Sequence, residues 1–143
     1  MVIKIPSQVL ERIHAHGEST YPEEGAGLLL GKTIDNLREV TTILTLSNAR
    51  EHAARHNRYM LTPQDMLFGE READRLDVDV IGIFHSHPDH PNRPSEFDRQ
   101  WAIPWYSYII TSVEKGSAIE SRSWRLNDGR EQFEEEIVQI IAS

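Results

Sequence analysis

The spacing of apolar residues changes period several times along the chain, and each change predicts an element. Val9, Leu10 and Ile13 recur at helical spacing within PSQVLERIHAHGES and Gly17 offers a stop, so a first helix is expected there. Tyr21-Pro22 then closes any helical run. The apolar GLLLGK (27–32) and the β-rich REVTTILTL (38–46) read as strands, and Asp35-Asn36 between them is turn chemistry, which predicts a hairpin. SNAREHAARHN (47–57) is polar with little β character and reads as a loop or short helical flap, and RYML (58–61) as a brief strand. Thr62-Pro63 opens a second helix over PQDMLFGEREADRL, with Met66, Leu67, Ala73 and Leu76 on one face despite Gly69. DVDVIGIF (77–84) is a buried strand, and residues 95–101 form a short helix. WYSYIITSV (105–113) and AIESRSWRL (118–126) pair across Lys115-Gly116, and EQFEEEIVQII fits either a helix or a last strand.

Helices interspersed among antiparallel hairpins predict a mixed α+β architecture rather than a regular βαβ array. With 143 residues, and no repeat or linker-like tract, the chain reads as a single domain over 1–143. It contains no cysteine, so any metal must be held by imidazole, carboxylate or water. The opening MVIKIPSQVL lacks the apolar core of a signal peptide, and no apolar run approaches the length of a membrane span, so a soluble cytoplasmic protein is expected. A net charge of -8 disfavours nucleic acid, which is bound through clustered positive charge, and leaves a protein or small molecule as partner.

The chemistry concentrates in HSHPDHPNRPSEFD (85–98), which holds three of the seven histidines and three of the seven prolines. His85 and His87 lie two apart at the end of an apolar strand, so their side chains project from the same side; alone, the pair is a weak signal that fits ordinary rim histidines better. Asp98 supplies a third candidate ligand, although Ser95-Glu96-Phe97-Asp98 also reads as a helix N-cap with acidic residues in its first turn. The prolines restrict the backbone between these residues. Two histidines and an aspartate leave one tetrahedral position of Zn2+ open, the pattern of a catalytic site. Such a site needs a general base, and Glu23 and Glu24, just before the first strand, are both candidates between which spacing does not choose.

The two blocks E-G-A-G-L-L-L-G (24–31) and H-S-H-P…P-S-x2-D (85–98) together resemble the signature of the JAMM, or MPN-plus, metallopeptidases. The resemblance implies a cytidine-deaminase-like α+β fold, with a curved, largely antiparallel sheet flanked by helices. It implies one Zn2+ per chain on His85, His87 and Asp98, Glu24 as the general base, and Ser95 as hydrogen-bond donor to the oxyanion. Ser86 then reads as a local structural hydroxyl and His90 as a solvated or substrate-facing residue. Ala26 stands where many relatives carry cysteine, a position outside the catalytic set, and the complete set argues against the family's inactive scaffolds. The short chain is most similar to bacterial members associated with ubiquitin-like sulfur-carrier proteins. For these the resemblance implies hydrolysis of the amide or isopeptide bond after the carrier's C-terminal glycine, for example releasing cysteine. The carrier's tail would add to an exposed strand edge, with 47–57 as a mobile channel wall; a homodimer stays open. The alternatives are a peptidase or isopeptidase acting on other protein conjugates, and a non-catalytic MPN binding module.

Overall fold

The computed structural model describes residues 1–46 and 61–143; the polar stretch 47–57 and, Leu61 apart, the strand expected at 58–61 lie outside the described residues. The elements are β1 (Val2–Pro6), α1 (Ser7–Thr20), β2 (Ala26–Ile34), β3 (Leu37–Leu46), α2 (Pro63–Arg75), β4 (Asp79–Pro88), α3 (Glu96–Trp101), β5 (Ser107–Glu114), β6 (Ser117–Leu126) and β7 (Phe133–Ile141). Both predicted hairpins form through two-residue turns. Asp35 (φ 55°), Lys115 (φ 50°) and Gly116 (φ 87°) take the left-handed conformations that such turns require.

The expected mixture of sheet and helices is present, but the sheet is not an open curved one. Its strands follow the order β1-β3-β2-β4-β5-β6-β7 and close into a barrel. Closure depends on β1, which pairs in parallel with both β3 and β7. The five-residue VIKIP, followed at once by a helix, carries no hairpin signal, because parallel partners come from distant parts of the chain. The tail settles as strand β7 because β6 on one side and β1 on the other take its backbone groups. Closure also limits strand addition: β1 reaches only Leu37, Arg38 and Glu39 of β3, so among the described residues the second edge of β3 lacks a strand over 40–46.

Helix α1 packs against β1, β3, β4, β5, β6 and β7. Its Val9 and Ile13 join Ile3, Ile5, Leu29, Ile43, Phe84 and Ile109 in one core cluster. Gly17 does not stop the helix, which continues to Thr20. A side chain there would meet Ser86 Cβ and Val113 Cγ2 at 3.2 Å, so the glycine serves close approach of helix and sheet. Helix α2 covers the opposite face, with Ala73 packed among Leu28, Leu30, Val80 and Ile83. Leu67 and Leu76, expected on its buried face, are exposed. The contact face instead runs through Met66, Gly69 and Ala73, because a Cβ on Gly69 would lie 2.2 Å from Leu28 Cδ1 and only glycine lets the helix sit so near β2. No helix among the described residues is long and apolar enough to cross a membrane.

Candidate metal centre

Strand β4 runs through the histidines: it continues past Phe84 to Pro88 and is held between β2 and β5, with His85 opposite Ala26 and Ile110. Alternation along the strand puts His85 and His87 on one side, where their ring centroids are 5.0 Å apart. Asp98 comes to them from α3. That helix opens with a capping box in which the Asp98 N–H donates to Ser95 Oγ (3.1 Å) and the Ser95 N–H donates to Asp98 Oδ2 (2.7 Å). The cap reading of SEFD therefore holds together with the ligand geometry, since the box fixes the Asp98 carboxylate in place.

The three side chains are buried and their donor atoms all lie within 4.8 Å of one another. His85 Nε2 is 3.3 Å from Asp98 Oδ1, and His87 Nε2 is 3.2 Å from Asp98 Oδ2. His87 Nδ1 lies 2.7 Å from the Pro91 carbonyl, which only accepts, so Nδ1 carries a hydrogen and donates it. In the neutral ring Nε2 then bears a lone pair aimed at a carboxylate oxygen, a contact that requires a proton or a cation between the two. Burial alone would raise the Asp98 pKa, but the charge of His85 and the hydrogen bonds from both imidazoles outweigh it and hold the carboxyl well below its ordinary range. Ligands at about 2.1 Å around a tetrahedral ion are separated by about 3.4 Å, close to the distances found. The donor set, its spacing and the anchored second nitrogen of His87 fit a metal site.

Glu24 is buried (7% exposed), with Oε1 3.7 Å from His85 Nδ1, whereas Glu23 is only partly buried. Tertiary placement thus separates the two glutamates that spacing leaves equivalent. A cleft of about 480 Å3 is lined by Glu24, His87, Asp98, Ser95, His90 and Arg93. Glu24, His87, Ser95 and Asp98 thus meet on this cleft with His85 in the buried cluster beneath, and Glu23 is not among its lining residues. Beyond Phe97 a second, apolar groove of about 340 Å3 runs between Met66 on α2 and Trp101 and Ile103.

The supports of the loop went unread in the sequence. Asn92 is buried, donates through Nδ2 to the Glu120 carbonyl (3.1 Å) and accepts at its own carbonyl from Trp124 Nε1 (3.0 Å), which pins the chain next to Pro91. Asp89 accepts from the Tyr21 hydroxyl (2.6 Å) and the Lys115 N–H (2.8 Å). A carbonyl and partners so remote in sequence leave no local pattern; the buried polar Asn among prolines is the one hint.

The chain is similar to known proteins in sequence and in fold. The family of prokaryotic homologs of the JAB domain matches residues 6–127. A "Probable TtuB-protein conjugate cleaving protease" of Thermus thermophilus is 31% identical over 134 residues, covering 92% of this chain and 80% of that protein. A desampylase of Pyrococcus furiosus is 32% identical over 80 residues, 56% of this chain and 55% of that one. A solution structure of a protein from Desulfitobacterium hafniense superposes with a TM-score of 0.86 at 26% identity, covering 99% and 94% of the two chains.

Proposed function

Because the chain belongs to the prokaryotic homologs of the JAB domain, we propose that it is a zinc-dependent hydrolase. It cleaves the amide or isopeptide bond that follows the C-terminal glycine of a ubiquitin-like or sulfur-carrier protein. The observation that carries this reading is the arrangement of one buried His, His, Asp donor set with a buried Glu24 on one side and Ser95 on the cleft. The names of the relatives, which refer to conjugate cleavage, support the substrate class.

His85, His87 and Asp98 hold the ion; when bound, it lowers the pKa of a water molecule towards 7 and polarises the scissile carbonyl. Glu24, held in place beside His85, accepts the proton of the attacking water and delivers it to the leaving amine. Ser95 accepts from the Asp98 amide and so keeps its own hydroxyl hydrogen to donate to the developing oxyanion. The edge of β3 over 40–46, which lacks a strand partner among the described residues, offers main-chain groups to an extended carrier tail. At its far end Leu46 is opposite Ala26, which is opposite His85, so a tail added there leads towards the donor set.

Two adducts fit the same chemistry: a free amino acid such as cysteine, and a protein lysine in isopeptide linkage. A panel of one carrier joined to cysteine and to a lysine side chain, with an unrelated isopeptide as control, separates them. Purified protein is expected to bind one zinc per chain, to cleave at least one carrier conjugate and to lose turnover by roughly 10²- to 10⁴-fold in Glu24→Gln while keeping its metal. Full activity in that variant overturns the reading, and zinc binding with no hydrolysis across the panel returns the chain to the class of binding modules.

A further inference from the structure

Glu24 belongs to the irregular segment 21–25, between the end of α1 and the start of β2. Nothing in that segment's own secondary structure fixes where the carboxylate points. Glu24 Oε1 lies 3.7 Å from His85 Nδ1 and the Tyr21 hydroxyl donates to Asp89, while the residue that follows Glu24 is met by Ser86, the residue between the two histidines. Ser86 is 3% exposed and faces away from the donor set, towards Gly17 of α1. Its backbone N–H donates to the Gly25 carbonyl (3.0 Å), and its Oγ accepts from the Gly25 N–H (2.9 Å). Both main-chain groups of the residue that follows Glu24 are thus held by a single residue of the ligand strand. Gly25 has no latitude on its other side, since a Cβ there would lie 2.6 Å from Thr20 Oγ1 and 3.0 Å from His16 Cδ2.

We propose that Ser86 is a positioning residue which, through its hydroxyl, ties the segment carrying the general base to the strand carrying the metal ligands. The inference rests on the role proposed above for Glu24. The backbone half of the clamp survives any substitution, but the Oγ half does not, and without it the Gly25 amide is left buried with no acceptor from Ser86. The junction between Glu24 and β2 then keeps one of its two hydrogen bonds to the ligand strand, and the base is held less firmly in line. A base displaced by about 1 Å loses on the order of 100-fold in rate even where every reacting group is present. Ser86 itself touches neither substrate nor metal, so its loss is felt in turnover and not in substrate binding.

The test compares wild type, Ser86→Ala and Ser86→Thr as zinc-loaded protein on the carrier conjugate that wild type cleaves. Ser86→Ala is expected to lower kcat by roughly 10- to 100-fold with KM and zinc content unchanged, and Ser86→Thr, which keeps the hydroxyl, to restore most of the rate. Amide exchange gives a readout independent of turnover: protection at Gly25 falls in Ser86→Ala while Leu28 and Leu29, within β2, keep theirs. Wild-type kcat in Ser86→Ala overturns the inference, as does a loss of kcat accompanied by loss of zinc, which would assign the hydroxyl to the metal site or the fold. Wild type without hydrolysis on any conjugate is the separate failure of the function proposed above. The exchange measurement then reports a clamp with no base to position, and the inference falls as well.

Discussion

Two buried ionic clusters are built around strand β4, one at each end. At its start, Arg38 donates to the Ile81 carbonyl (2.9 Å) and to Ser107 Oγ (2.8 Å), while Glu136, 1% exposed, accepts from Ser107 and Ser123 (both 2.7 Å) and pairs with Arg125. At its end, His85, His87 and Asp98 converge beside Glu24. In the first cluster donors face acceptors: hydroxyls and guanidinium groups surround one carboxylate, and burial together with the nearby Arg125 charge lowers the Arg38 pKa to about 10. In the second, the Nε2 atoms of His85 and His87 each meet one oxygen of the Asp98 carboxylate, at 3.3 and 3.2 Å, with Glu24 beside His85. Burial is common to both; the convergence of two imidazoles and a carboxylate whose ligand atoms lie within 4.8 Å of one another marks the second as a candidate metal site. A buried carboxylate ringed by hydroxyls and an arginine supports structure, and one that converges with two imidazoles beside a cleft is placed for chemistry.

The comparison breaks first at its two glutamates. Glu136→Ala removes the buried carboxylate that Ser107, Ser123 and the partly buried Arg125 share, close to the buried Arg38, and is expected to cost about 3–5 kcal/mol of stability, with kcat per folded molecule unchanged. Glu24→Gln is expected to do the reverse, removing turnover while staying within about 1 kcal/mol of wild type. Urea unfolding and single-substrate kinetics on both variants measure all four quantities. If Glu24→Gln unfolds as easily as Glu136→Ala, the two clusters do not differ in kind.

A finer comparison uses the two capping boxes. Thr62 with Asp65 in α2 and Ser95 with Asp98 in α3 have the same geometry, each hydroxyl accepting from the third residue of its helix at 3.1 Å. Replacing either by alanine is expected to cost about 1 kcal/mol of stability. Only Ser95→Ala is also expected to lose roughly 100-fold or more in kcat, because only that hydroxyl borders the cleft. Equal kcat in the two variants would reduce Ser95 to a cap.

These pairs also explain what the sequence disclosed and what it hid. The HSH alternation, the spacing to Asp98, both hairpins and the Thr62 start of α2 are local: their causes lie within a few residues, and the pattern showed them. Spacing alone could not tell Glu24 from Glu23, and only the resemblance chose between them, because the difference is made by β4, some sixty residues on. The role of β1 was invisible because both its partners are parallel and remote. Gly17 and Gly69 read as interruptions of helices, whereas each marks the point where a helix touches the sheet most closely.

A third carboxylate extends the comparison to the surface. Asp89 accepts from two donors that carry no charge of their own at neutral pH, the Tyr21 hydroxyl and the Lys115 amide, and so joins the end of α1, the loop of the candidate site and the β5–β6 turn. The Tyr21 hydrogen bond, followed by that from Lys115, lowers the Asp89 pKa. The sign of the effect follows from linkage: a carboxyl with a lower pKa in the folded than in the unfolded state adds stability above its unfolded pKa of about 3.9 and loses it as pH falls through the folded value. Asp89→Asn should therefore be less stable than wild type at pH 7, by less than either variant above because the group is solvated, and the gap should close as pH is lowered below about 4. Other titrating groups cancel in this difference, which urea unfolding at the two pH values measures. A gap unchanged in acid would mean that Asp89 acts through the shape of its loop and not through its charge.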